Sequence, residues 1–334
     1  MAGRLVTPPP APERVEAVVV GCGVIGLTTA IRLREAGFRT RIVTKALPSE
    51  TTSAVAAAVW YPYKAYPRDR VLGWSRATLD ALCDLARDPA AGCSLLPLVD
   101  LFETPVPDPW WKGAVRSFRR ATAADLPPGY ADGYVIEAPL AEPPAFLPYL
   151  ERRFRAAGGA IDVRPEGLTS LDALAADGRL VVNCTGLGAA ALTGDDALYP
   201  IRGQVVRVTN PGLRRSLADE YGRRAISYII PRAHDCILGG VAEAGVWDLT
   251  PDPAVTATIL RRCRELEPRL RDAEVLDVRV GLRPGRPAVR LELERRGPRR
   301  AVLHNYGHGG AGFTLCWGCA DEALALARAF AATL

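Results

Sequence analysis

Val15-Glu16-Ala17-Val18-Val19-Val20 runs straight into Gly21-Cys22-Gly23-Val24-Ile25-Gly26 near the start of this 334-residue chain. The first stretch is rich in β-branched residues, as a buried strand requires, and it ends at a glycine turn. Apolar residues then continue at helical spacing through Leu27, Ala30, Ile31 and Leu33, and Gly37 supplies the stop. A second strand is expected from Thr40 to Thr44. Strand, glycine turn, helix and strand in this order form the context that G-x-G-x-x-G needs to signal a dinucleotide site. Gly21 permits the tight turn, Gly23 lets a pyrophosphate reach the backbone, and Gly26 lets helix and strand approach closely. The helix N-terminus offers N–H groups to the anion. One residue departs from the pattern: Lys45 stands where an acid would grip the ribose hydroxyls, which keeps a 2′-phosphate, and so NADP, open.

Composition narrows the chemistry. Charged residues make up 24% and hydrophobic ones 49%, the balance of a globular protein long enough for two domains. No run of about 18 apolar residues occurs, and the proline-rich start lacks a signal-peptide core, so a soluble cytoplasmic protein is expected, without a membrane partner. Of 42 basic residues only Lys45, Lys64 and Lys112 are lysines, and the net charge is +5. Acids and bases interleave, so no nucleic-acid partner is expected. The three histidines, His234, His304 and His308, form no H-E-x-x-H, and paired C-x-x-C sites are absent, so no metal is expected. Neither G-x-S-x-G nor a P-loop occurs. Eight cysteines without a disulfide-like spacing suit a reducing compartment. An enzyme with this inventory leans on a bound cofactor.

Residues 1–14 read as a disordered lead-in. Leu72–Leu85 is helix-like, Pro105–Trp111 a proline- and tryptophan-rich loop, and 144–157 an amphipathic helix ending at Gly158-Gly159. Leu180 to Gly186 is a strand running into a small-residue turn, equally readable as core or as a nucleotide wall. Ile201–Val208, Ser227–Pro231 and Asp235–Gly240 look like antiparallel strands, and the charged turn Gly212–Arg224 has the composition of a mobile surface loop. Near the C-terminus, prolines brace Arg283 and Arg286 within Val280–Pro287. Arginine offers a planar fork to a carboxylate or phosphate, although two solvated arginines in a turn would look the same. His304-Asn305-Tyr306-Gly307-His308-Gly309-Gly310-Ala311-Gly312 then repeats the glycine pattern before a helix reaching Ala332. Cys316 and Cys319 have redox-pair spacing but read as helix packing.

Six blocks in order carry a family resemblance: Gly21–Leu27, Ala54–Trp60, Asn183–Gly186, Tyr228–Pro231, Gly281–Pro284 and His304–Gly310. Over Val15 to Leu326 the chain resembles the D-amino-acid oxidase family of FAD enzymes. The resemblance implies a two-domain α/β flavoprotein. Its discontinuous Rossmann-like FAD domain would comprise 15–65, 143–196 and 280–334; a mixed or antiparallel substrate domain would comprise 66–142 and 197–279. Gly21, Cys22, Gly23, Val24, Ile25 and Gly26 would hold the pyrophosphate with Thr51, Thr52 and Ser53. Lys45 and Gly167 would lie along the adenosine side, and Thr185 would also contact the cofactor. Ala57, Ala58 and Val59 would line the flavin ring, with Gly309, Gly310, Gly312, Phe313 and Thr314 around its other edge.

The same resemblance implies that Arg283 clamps a substrate carboxylate, Tyr228 donates a further bond, and the Gly310 carbonyl accepts from the amine. Val59, Tyr61 and Ile230 would wall the pocket. Arg224 stands where vertebrate members place a lid tyrosine, and Ala242 where D-aspartate oxidases place an arginine. The implied reaction is hydride transfer from a D-amino acid to FAD, with dioxygen reduced to hydrogen peroxide and a 2-oxo acid and ammonia released. His304 and His308 would be structural. D-aspartate oxidase and glycine oxidase are the near alternatives; an NADP-dependent dehydrogenase and a non-catalytic flavin-binding protein are the distant ones. A homodimer is left open.

Overall fold

A computed structural model describes residues 15–62, 64–174, 179–219 and 226–334. The expected lead-in at 1–14 lies outside the described residues. The first half of the chain forms β1 (Glu16–Val20), α1 (Val24–Glu35), β2 (Arg39–Thr44), α2 (Thr52–Val55), α3 (Arg68–Leu85), β3 (Cys93–Phe102), β4 (Arg119–Arg120), β5 (Asp132–Ala141), α4 (Pro143–Ala156) and β6 (Ala160–Val163). β7 (Arg179–Asn183), α5 (Ala189–Thr193), β8 (Tyr199–Val208), β9 (Ser216–Asp219), β10 (Ser227–Pro231), β11 (Cys236–Gly239) and β12 (Glu243–Ala244) follow. The chain closes with α6 (Pro253–Leu266), β13 (Val275–Gly285), β14 (Arg290–Gly297), β15 (Arg300–Tyr306) and α7 (Gly312–Ala331).

The strands build two sheets. The first has the order β14-β15-β7-β1-β2-β6, parallel throughout except that β14 runs against β15. β1 sits inside it with Ala17 to Val20 all buried, which explains an unbroken apolar run in place of an alternating one. α1 and α7 lie side by side over one face, and α4 and α3 pack against them. α1 ends where Gly37 turns to φ +92° and Phe38 N–H reaches back to the Leu33 carbonyl at 3.1 Å, the stop the sequence signals. The second sheet runs β12-β8-β11-β10-β9-β3-β5-β4, with β13 also paired to β8. α6 covers part of it, placing Ile259 and Cys263 among Val206, Ile229 and Leu238. The α/β class and the mixed, largely antiparallel second sheet are as expected.

Three expectations need correction. Residues 212–224 are not simply a surface loop: Ser216–Asp219 is β9, buried at all four positions between β3 and β10. Flanking arginines hid a strand too short to show a period. Residues 86–142 hold two ten-residue strands, β3 and β5, where no strand was expected. Pro97 and Pro139 broke the pattern, yet both lie within the ladder, opposite Glu137 and Leu95. Finally, β13 carries the second sheet to Gly285, past the expected boundary at 279, while α3 packs along α7. The core is continuous across that boundary: Leu27, Trp74 and Trp317 share one cluster with Leu98 and Ile136. Among the described residues no helix is long and apolar enough to cross a membrane.

Candidate active site

A cavity of about 1250 Å³ runs between the two sheets. That exceeds the roughly 300–1,000 Å³ of ordinary small-molecule pockets and suits a long ligand with a second one beside it. Gly21, Cys22, Gly23, Val24 and Ile25 line one end, where β1 hands over to α1. Gly21 takes φ +104°, and a Cβ there would lie 2.5 Å from the Cys184 carbonyl, so only glycine fits the turn. Gly26 does not line the cavity. A Cβ on it would stand 2.0 Å from the Gly21 carbonyl oxygen, so its role is to let α1 close on the turn. Thr51, Thr52 and Ser53 do line it. Ser53 Oγ accepts from Val24 N–H at 3.0 Å, so one first-turn donor of α1 is already taken. Thr51 and Thr52 donate to the Pro48 and Leu282 carbonyls at 2.8 and 3.2 Å.

Lys45, Gly167 and Thr185 all line the cavity, and a Cβ on Gly167 would meet Lys45 Cδ at 3.9 Å. Glu166 lines this region too, an acid that reading the β2 terminus alone could not find. Ala57, Ala58 and Val59 line the cavity, as do Gly309, Gly310, Gly312 and Phe313. Thr314 is placed elsewhere: its hydroxyl accepts from Tyr61 N–H at 3.2 Å and donates to Tyr61 O at 2.8 Å, pinning α7 to that loop. His308 lines the cavity, and its buried Nε2 has no partner among the described residues. Burial pushes its pKa down to about 3, so the ring is neutral. The glycine cradle, the length of the cavity and this orphaned nitrogen fit a dinucleotide laid along the wall. His304 is a buried strand residue facing Glu294 at 2.9 Å.

Arg283, Tyr228, Tyr61 and Ile230 line the same cavity. Arg283 lies on β13 and Tyr228 on β10, two strands of the second sheet. Arg283 Nη1 donates to the Val241 carbonyl at 3.1 Å, which orients the fork. Its guanidinium lies over Gly203 of β8, where a Cβ would be 2.3 Å from Nη1. Gly239 and Gly240 make the same room for the Tyr228 ring, since a Cβ on Gly239 would stand 2.0 Å from Tyr228 Cζ. Leu98, Val205, Ala218 and Ile226 add an apolar wall. Tyr61 donates to Asp100 Oδ2 at 2.6 Å, and Asp100 itself does not line the cavity. Burial, aided by the nearby Asp219, pushes the Asp100 pKa up to about 7 against the pull of that bond. Neither Gly203 nor Asp100 carries a sequence signal; each matters only through a partner on another strand. Arg224 lies outside the described residues. Arg286 pairs with Asp195 at 3.0 Å. All eight cysteines are free, and Cys316 and Cys319 are buried in α7. Among the described residues no group of three or more His, Cys, Asp or Glu could hold a metal ion.

A family model described as FAD dependent oxidoreductase matches residues 16–326. A D-amino-acid oxidase of Rubrobacter xylanophilus is 52% identical over 330 residues, covering 98% of both chains. A human D-aspartate oxidase is 38% identical over 94% of this chain and 95% of its own. Among solved structures, glycine oxidase from Bacillus cereus superposes with a TM-score of 0.76 over 93% of this chain and 94% of its own, at 18% identity.

Proposed function

The chain belongs to the family of FAD dependent oxidoreductases, and from that membership we infer that it deaminates D-amino acids oxidatively. FAD is its cofactor, and when bound it supplies a two-electron acceptor that dioxygen can reoxidise. Gly21–Ile25 and Thr51–Ser53 would hold its phosphates; Ala57–Val59 and Gly309–Phe313 would bracket its ring.

The observation that carries the reading is that Arg283 and Tyr228, from two strands of the second sheet, line the same cavity as the glycine turn. Arg283 would bind the substrate carboxylate through charge-assisted bonds, and the Tyr228 hydroxyl would add another. The Gly310 carbonyl would accept from the amine. Together they would orient the α-carbon and exclude water, which is catalysis by positioning. Val59, Tyr61 and Ile230 would shape the side-chain pocket. The product, an imino acid, needs only water to give a 2-oxo acid and ammonia, with the electrons leaving as hydrogen peroxide.

A panel of D- and L-amino acids, with glycine and D-aspartate included and peroxide as the readout, tests this. Turnover of D- but not L-enantiomers is expected; a flavin-loaded protein inert toward every D-amino acid refutes the assignment.

A further inference from the structure

Arg232 lies just beyond β10, and its side chain is 2% exposed. Such a burial normally demands an acid within hydrogen-bond distance, because desolvating a guanidinium is costly. Here the nearest carboxylate, Asp235, is 3.9 Å away and already binds Arg207 at 2.8 Å. Glu142 acts on Arg232 only at longer range, while Arg207 and Arg279 oppose its charge. What the guanidinium does touch is backbone: Nη2 donates to the Ala56 carbonyl at 2.6 Å and to the Ala57 carbonyl at 3.3 Å. Its Nε has no partner among the described residues.

The next carbonyl is tied as well, since Ala141 N–H donates to Ala58 O at 3.0 Å. Three successive carbonyls therefore face the scaffold. A trans peptide sets each C=O opposite to the N–H that follows it. The N–H groups of Ala57, Ala58 and Val59 are accordingly turned the other way, and none has a partner among the described residues. Ala56 to Val59 line the cavity, whereas Arg232 does not, so the other way is into the cavity. Ala58 holds φ +68°, a left-handed conformation an alanine adopts only when its surroundings impose it.

We propose that Arg232 is a positioning residue, which holds the Ala56 and Ala57 carbonyls so that the Ala57 and Ala58 N–H groups stay presented to the flavin ring. The inference rests on the placement of FAD given above. A buried cation on the carbonyl side also polarises each amide, making its N–H a stronger donor. Reduced flavin carries more negative charge on its ring than oxidised flavin and gains more from such donors.

The test compares Arg232→Met, which keeps an unbranched apolar stem and loses the charge, with Arg232→Lys, which keeps the charge on a slightly shorter stem. Apoprotein stability, FAD dissociation constant, visible spectrum and midpoint potential of the bound flavin are read. Arg232→Met is expected to raise the dissociation constant at least tenfold, alter the flavin spectrum and move the potential negative; Arg232→Lys is expected to restore most of each. A role in folding alone would lower the melting temperature and leave spectrum and potential untouched, and that result overturns the proposal. A second measurement covers a methionine variant that does not fold: amide exchange at Ala57 and Ala58 in the wild-type protein. Protection on adding FAD is expected, and exchange indifferent to FAD overturns the proposal. A wild-type protein that takes up no FAD refutes the cofactor placement instead.

Discussion

Arg283 owes its position to a missing side chain. Its guanidinium occupies the space a Cβ on Gly203 would fill, with three of its atoms 2.3 to 2.5 Å from that point. Gly203→Ala would push aside only the end of a flexible side chain, so the melting temperature should hardly move while KM for D-amino acids rises. Arg283→Ala removes charge-assisted bonds worth about 1.5–3 kcal/mol each, which predicts a loss in kcat/KM from roughly tenfold to several orders of magnitude. Steady-state kinetics on both variants checks this, and unchanged activity in Arg283→Ala removes it from the site. Asp100 makes a different prediction. Its pKa is near 7 when folded and about 3.9 when unfolded, so between those values the folded protein binds the proton more tightly. Its contribution to stability therefore falls as pH rises from about 4 to about 7 and stays low above that. Asp100→Asn removes the dependence. The melting temperature of this variant relative to wild type should be higher at pH 8 than at pH 5, and a constant difference counts against a raised pKa.

Helix against helix, α7 comes close to the α3 backbone at Gly318. A Cβ on Gly318 would lie 2.2 Å from the Trp74 carbonyl oxygen, and Gly318 N–H donates to Thr78 Oγ1 at 3.0 Å. Backbone cannot move aside as a side chain does. Gly318→Ala should cost about 1–3 kcal/mol, a drop of several degrees in melting temperature by calorimetry. This approach was not legible in the sequence, where Gly318 is one small residue in a helical run. The β1-α1-β2 unit was legible because its signals are local: a β-branched run, three spaced glycines and a terminal glycine at 37. β3, β5 and β9 were not, because Pro97, Pro139 and the flanking arginines conceal strands whose evidence is their pairing. The site divides the same way. Arg283, Tyr228 and the glycine loops announce themselves by residue type and neighbours. Gly203, Asp100 and Arg232 matter only through groups that the folded chain brings from far along the sequence.

Taken together, the two sheets contribute to a common hydrophobic cluster and line the same cavity, so a ligand spanning that cavity touches both. FAD should then stabilise the protein as a unit. At a hundred times its dissociation constant a ligand bound only by the native state adds about 2.7 kcal/mol. A single melting transition that climbs with FAD concentration is expected by differential scanning fluorimetry, and two transitions of which only one responds would contradict a shared cavity. β13 adds a constraint of its own. It carries Arg283, and one residue later the Pro284 carbonyl accepts from Gly309 N–H at 2.8 Å, in the glycine loop that also lines the cavity. The proposed grip on the substrate and the proposed wrap around the flavin are therefore braced through adjoining backbone. Their separation is a fixed length of peptide, not a gap that a hinge must close on every turnover. The proposed pocket walls, Val59 and Ile230, come from other elements. Descendants of this frame can exchange those walls and accept a different side chain while the reacting bond stays where it is.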